Sequence, residues 1–339
     1  MITSEEVKQF LRDTCEAEIV GIAPATSFSA DDKKRVVGTL TTLGQANPTR
    51  SGNTDVFDAE DFVDGAKAVV VFGRNSFFGS NPYNENGSPH GAIGNFYLNQ
   101  NILNRAVVQS DQISEFLKAR GFNAESPFSG FPQKLKALEA GLGIQGKNTL
   151  VLNKKLGSWI SLSTIITDAP LEPDNPLQGN CGKCTRCIDA CPTGALSSPC
   201  SYKVDQCIIY YLCHLKEDIP VETRKKIGVR VGNCTVCSDV CPHNKKLAIN
   251  ERDKLPDETI YPELIPMMNL SEEEYGKKYG ANMFGFIMGG RRYLRRNIAV
   301  ALGNTGDKNA LPCLEIAAKD EDPLVNSHAA WAIDNINGL

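Results

Sequence analysis

The chain has 339 residues, enough for two or three domains and a sizeable core, and its 41% hydrophobic and 22% charged residues are those of an ordinary globular protein. A formal net charge of −4 argues against a dedicated nucleic-acid binder, and no apolar run reaches the roughly 18 residues of a membrane span. The N-terminus, MITSEEVKQF, lacks the basic and apolar regions of an export signal, which predicts a cytoplasmic protein with no membrane partner.

In chain order, Thr3-Ser4-Glu5-Glu6 reads as a capping box before an amphipathic helix carrying Val7, Phe10 and Leu11 on one face. Residues 18–23 and 68–73 read as strands, with a polar, weakly patterned stretch over 28–60 between them. A helix is predicted over 106–120, with Val107, Ile113, Phe116 and Leu117 inward and Gly121 as its stop. A second spans 132–140, ended by Gly141, and strands follow over 149–152 and 159–167. Helices alternating with strands imply a layered fold of mixed class, α+β or α/β. Gly141, Gly143 and Gly146 fall within six residues just after a helix, and Lys147 and Thr149 follow. Such a loop lets backbone approach a ligand closely. It lacks P-loop spacing, and an ordinary helix-to-strand turn explains it as well.

All cysteines but Cys15 and Cys313 lie between positions 181 and 241. One loaded segment in a chain without an export signal points to metal ligands, not disulfides. Cys181, Cys184, Cys187 and Cys191-Pro192 form the C-x2-C-x2-C-x3-C-P run of bacterial ferredoxins, whose fourth cysteine serves the other cluster. Cys234, Cys237 and Cys241-Pro242 repeat it with one cysteine missing, which Cys207 can supply. The crossover gives two [4Fe–4S] sites: Cys181, Cys184, Cys187 and Cys241; and Cys191, Cys207, Cys234 and Cys237. Two structural zinc sites are the alternative, but these usually show separated C-x2-C pairs. Cys200 and Cys213 read as buried small hydrophobes, and Cys15 and Cys313 as core.

Residues 291–339 read as helical hairpins. Leu294, Ile298, Ala301 and Leu302 make one apolar face; Leu311, Leu314, Ile316 and Ala317 the next; Ala329, Ala332, Ile333 and Ile336 a third. This is a HEAT-like pattern in one or two copies. Arg291, Arg292, Arg295 and Arg296 open it, either as a solvated face or as a phosphate-binding patch for RNA.

Together these segments resemble the epoxyqueuosine reductase family. The resemblance is carried by EIVGIAPA (18–25), EAGLGIQGKNTLVLN (139–153), GSWISLSTIITDAPLE (157–172), both cysteine runs, DQCIIYYL (205–212), RRYLRRNIAVALGNTGD (291–307) and NSHAAWAI (326–333). It implies a cobalamin-binding α/β domain over 1–168, a ferredoxin-like double-cluster domain over 169–250 and a HEAT-like helical segment over 251–339. The clusters would pass electrons from an external flavodoxin- or ferredoxin-type donor to cobalamin, which reduces the substrate. Gly141, Gly143, Gly146, Lys147, Asn148, Thr149, Val151, Ser158, Leu162 and Ile209 would line the corrin pocket. Lys216 and the four arginines would face tRNA. The chain departs from the family on the substrate side: Ser126 and Pro127 stand where the family has a Val-Asp pair, and Ile209 replaces a serine. The resemblance therefore implies a paralogue with another substrate, and Tyr97 or Glu125 as proton donor.

Overall fold

The computed structural model describes residues 2–33, 58–79, 89–94, 98–127 and 131–338. Tyr97 lies outside the described residues.

Helix α1 (Ser4–Asp13) begins on the expected capping box: the Thr3 hydroxyl accepts from the Glu6 amide at 3.2 Å, and the Glu6 carboxylate accepts from the Thr3 amide at 2.7 Å. Strands β1 (Ile19–Pro24), β2 (Ala68–Asn75), β3 (Ala124–Glu125) and β6 (Ile160–Thr167) form one sheet in the order β1-β2-β6-β3. Every pairing is antiparallel. A short hairpin of β4 (Ile144–Gln145) and β5 (Val151–Leu152) stands apart.

The strand run AVVVF is buried on both faces, and the period-two pleat sorts its side chains. Ala68, Val70 and Phe72 join Val7, Leu11, Ile113 and Leu117 in one core; Val69 and Val71 join Ala137, Ala140 and Leu142 in another. Helices α1 and α2 (Gln100–Lys118) cover the first face and α3 (Gln133–Glu139) the second. The fold is thus mixed and layered, with an antiparallel sheet. Burying each valine on this sheet stabilises by about 1.5–3 kcal/mol relative to exposure. Helix α2 starts six residues earlier than predicted, and its inward face carries Ile102, Gln109, Ser110, Ile113 and Leu117. Val107, predicted inward, is 45% exposed.

Beyond the sheet the chain is helical. Helices α4 (Arg186–Asp189), α5 (Val221–Ile227) and α6 (Val236–Asp239) belong to the cysteine-rich part. Then follow α7 (Asp257–Ile260), α8 (Leu264–Met268), α9 (Glu272–Tyr279), α10 (Met283–Met288), α11 (Arg291–Thr305), α12 (Leu311–Ala317) and α13 (Pro323–Asn337). Leu294, Ile298, Ala301, Leu302, Leu314, Ala317, Ala329 and Ala332 share one core, which takes in Ile93 and Val231 from earlier in the chain. Ile316, predicted inward, is 70% exposed, because α12 is short and only one of its faces meets α13. Among the described residues no helix is long and apolar enough to cross a membrane.

Candidate functional site

The two cysteine runs fold as near copies. In each, a threonine after a cysteine hydroxyl-bonds an aspartate four residues on: Thr185 to Asp189 at 2.7 Å and Thr235 to Asp239 at 2.6 Å. The amides of Ile188 and Asp189 bond the Thr185 carbonyl, and those of Ser238 and Asp239 bond the Thr235 carbonyl. Each short helix ends on its C-P dipeptide, where proline cannot continue the ladder. Helices α4 and α6 pack against each other, so the two runs face one another.

The thiols sense one another mostly within two groups, with Cys187 of the first also felt at Cys237 of the second. Burial pushes Cys187 up, and so do Cys241 and Cys181; burial pushes Cys241 up, aided by Cys181 and Cys184. Burial raises Cys207, aided by Cys234 and Cys191, and raises Cys237 to about 12, aided by Cys234, Cys207 and Cys187. Backbone N–H groups oppose this by pointing at sulfur: Ile209 and Tyr210 at Cys207, Val236 at Cys234, His243 and Asn244 at Cys241. At Cys191, burial raises the thiol, but the N–H groups of Leu196, Thr193 and Ala195 with the Thr193 hydroxyl outweigh it, and the net direction is down. N–H donors aimed at Cys191, Cys207, Cys234 and Cys241 fit a pair of clusters, whose sulfurs and thiolates take up such hydrogen bonds.

The other cysteines divide. Cys15, Cys213 and Cys313 are buried as expected. Cys200, expected buried, is only partly so, and sits at φ +60° with its amide on the Lys147 carbonyl.

The glycine loop belongs to this centre. The Lys147 amide donates to Cys181 Sγ at 3.4 Å, and its ammonium donates to the carbonyls of Gly182 and Cys184, both at 2.8 Å. Asn148 Nδ2 donates to the Cys237 carbonyl at 3.4 Å. Ser158 pairs with Asn244 and with Ser238. The glycines serve close packing: a Cβ on Gly143 would lie 2.5 Å from the Leu152 carbonyl oxygen, and one on Gly146 2.5 Å from Asn148 Oδ1. Gly141 and Thr149 turn the chain at φ +68° and +66°, and Val151 pairs with Gln145 in the hairpin. Ile209 opens a five-residue π-helix, Tyr210–His214.

A cleft of about 410 Å³ opens between α2, β6 and α10, bordered by Leu162, Ser126, Pro127, Gln133 and Phe286 among others. Among the described residues, none that borders it is ionisable. Two of its buried polar atoms have no hydrogen-bond partner, Gln100 Oε1 and Thr164 Oγ1. Glu125 lies on β3, in register with Ile166. Lys134 was not singled out by the sequence. It is exposed to solvent yet has protein packed round it; that crowding lowers its pKa, and Cys237 acts in the opposite direction.

Of the basic residues expected to face RNA, the structure corrects Arg296, which lies inside the protein. Arg296 is fully buried, and Lys216 donates to the carbonyls of Cys213, Ile287 and Met288. Arg291 pairs with Glu272, Arg295 with Asp320, and Arg292 with Asp322; of these three arginines, Arg292 has the most exposed side chain. A helix that starts on several arginines needs acceptors for them, and neighbouring carboxylates and carbonyls supply these.

The cysteine spacing and the match of residues 180–244 to the family model of the 4Fe-4S double cluster binding domain give the chain an iron–sulfur segment of the two-cluster kind. Over its length the chain is similar to epoxyqueuosine reductases. It is 39% identical to that of Lactococcus garvieae over 204 residues, 59% of this chain and 57% of the relative. The chain thus spans little more than half of that relative's length. In structure it is similar to a selenomethionine-labelled epoxyqueuosine reductase, with TM-score 0.86 and 28% identity over 98% of this chain and 90% of the other. It is also similar to an epoxyqueuosine reductase with an epoxyqueuosine-modified tRNA-Tyr stem loop, with TM-score 0.83 and 28% identity over 98% and 89% of the two chains.

Proposed function

We propose that the chain is a cobalamin-dependent iron–sulfur reductase of the epoxyqueuosine reductase type. Its parts are a cobalamin-binding domain over 1–168, a double-cluster domain over 169–250 and a HEAT-like segment over 251–339. Cys181, Cys184, Cys187 and Cys241 hold one cluster; Cys191, Cys207, Cys234 and Cys237 hold the other. The observation that carries this reading is the match of residues 180–244 to the double cluster family model, with the glycine loop joined to that segment by the hydrogen bonds of Lys147 and Asn148.

When bound, the clusters supply single electrons and the corrin-held cobalt supplies the reductant that meets the substrate. The residues at the cleft fit a neutral, amide-bearing group: Gln100 Oε1 accepts, Thr164 Oγ1 donates or accepts, and Leu162 and Phe286 give apolar contact. Among the described residues the cleft's lining carries no carboxylate, and Ser126 and Pro127 border it, so Glu125 and Tyr97 are the candidate proton donors. This favours a substrate other than epoxyqueuosine. A tRNA partner rests on the fold likeness and on Arg292, and an external flavodoxin- or ferredoxin-type protein delivers the electrons.

Anaerobic isolation with iron, sulfide and cobalamin analysis tests the reading. Two clusters and stoichiometric corrinoid are expected; zinc in place of iron and sulfide would sink it. Turnover of an epoxyqueuosine-modified stem loop then decides the substrate.

A further inference from the structure

Helix α11 begins at the surface but places two polar side chains in the protein's interior. Arg296 and Asn297 are both fully buried. The Arg296 guanidinium donates to four carbonyls: Leu215 at 2.7 Å, Glu217 at 2.9 Å, Tyr211 at 2.7 Å and Leu212 at 3.4 Å. Its Nε donates to Asn297 Oδ1 at 3.0 Å. Asn297 Nδ2 then donates to the carbonyls of Leu212 and Val231, both at 2.9 Å. The two residues therefore fasten the segment after Cys207 and the segment before Cys234 to the same helix.

The segment after Cys207 is polarised. The Ile209 and Tyr210 amides point at the Cys207 sulfur, and the chain turns through the π-helix Tyr210–His214. The carbonyls of Tyr211 and Leu212 within it, and that of Leu215 just past it, meet Arg296, and the Lys216 ammonium meets the Cys213 carbonyl at 3.0 Å. Cations at a helix C-terminus and N–H groups at its N-terminus both favour negative charge at the Cys207 end. Among the described residues no carboxylate makes an ion pair with either cation. A buried cation without a counter-ion is costly, and Coulomb attraction is strong where water is excluded.

We propose that Arg296 and Asn297 are positioning residues for the second cluster, and that the buried Arg296, with Lys216 at the exposed edge of the same segment, is its counter-charge, raising its reduction potential above what the same four thiolates would give alone. The inference rests on the ligand set Cys191, Cys207, Cys234 and Cys237 proposed above. A cluster held by four thiolates is anionic and gains one further negative charge on reduction. Fixed positive charge nearby stabilises the reduced form more than the oxidised one.

The test is a potentiometric titration of the full-length, cluster-loaded protein, followed by electron paramagnetic resonance. A Cys207→Ser variant identifies which signal belongs to the second cluster. Arg296→Gln is expected to weaken reduction of that cluster about tenfold, a shift of about 59 mV to more negative potential, and to leave the first cluster in place. Arg296→Lys restores most of the shift. If Arg296→Gln does not load with iron, Lys216→Met, at the exposed edge of the same site, is read in the same way and expected to shift in the same direction. An unchanged second-cluster potential in a fully loaded variant overturns the proposal, as does an equal shift of both clusters. Wild-type protein without a second cluster signal overturns the ligand set beneath it, which is a separate result.

Discussion

Ser158 and Asn244 hold each other by two hydrogen bonds: the Ser158 amide donates to Asn244 Oδ1 at 2.9 Å, and Asn244 Nδ2 donates to Ser158 Oγ at 2.8 Å. The same Nδ2 also donates to the Ser238 carbonyl at 2.8 Å. This joint ties the approach to β6 to the turn that follows Cys241. Asn244→Leu would fill the space and leave the Ser158 amide without its partner, at about 1–3 kcal/mol for a buried orphan, while the Ser238 carbonyl keeps the Cys241 amide. Faster iron release to a chelator is expected, from the cluster that uses Cys241 first. An unchanged release rate would show that the joint does not hold the cluster loop.

Gly157 meets the same joint from the other side. It sits at φ +54°, and a Cβ there would lie 2.0 Å from Asn244 Oδ1. Gly157→Ala should cost more than about 1 kcal/mol through strain and displacement of Asn244. In an Asn244→Ala background the clash is gone, so the two changes should cost less together than their sum. Additive urea midpoints in a double-mutant cycle would contradict the contact.

Much of this was readable in the residues, and the misses have physical causes. The AVVVF strand and the capping box at Thr3 follow from local pattern, because period and hydrogen-bonding chemistry act over a few residues. The cysteine runs are legible for the same reason: their spacing is the geometry. Val107 and Ile316 were misplaced because an apolar residue on a helix can border a cleft or face water as readily as a core. Arg296 was misread because charge predicts solvent, and only the fold reveals the carbonyls that replace it. The antiparallel order of the sheet is likewise non-local: alternating helices and strands suit either direction. The glycine loop was recognised as unusual, yet its ammonium goes to the carbonyls of Gly182 and Cys184, more than thirty residues away.

Cys207 and Cys200 are only seven positions apart, and the proposal assigns them opposite roles. Cys207→Ser should lower iron from about eight to about four atoms per chain, since each cubane holds four. Cys200→Ser should leave iron and sulfide unchanged, since its sulfur is given no cluster role. Equal loss in both variants, measured after anaerobic reconstitution, would undo the ligand assignment.

His328 gives the chain a stability term that depends on pH. Its ring is fully buried; Nε2 accepts from the Ile219 amide at 3.1 Å, so Nδ1 carries the proton and faces the Leu324 carbonyl at 2.7 Å. Burial lowers its pKa, Arg224 and Arg296 lower it further, and the Leu324 carbonyl and Asp218 oppose them, leaving it at about 4 against an ordinary 6.5. A second proton would have to enter between Nε2 and an N–H that already points at it. The folded pKa lies below the unfolded one, so the unfolded chain takes up the proton first as pH falls. The stabilising contribution is therefore complete above about pH 6.5, declines between 6.5 and 4, and is bounded at about 3 kcal/mol. His328→Gln should be less stable than the parent at pH 7.5, because the buried Ile219 amide meets a poorer acceptor. The gap should close as pH falls to 4.5, because glutamine does not titrate. Urea midpoints of both proteins across that range measure it, and a gap that stays constant with pH would show that His328 is not held neutral by its surroundings.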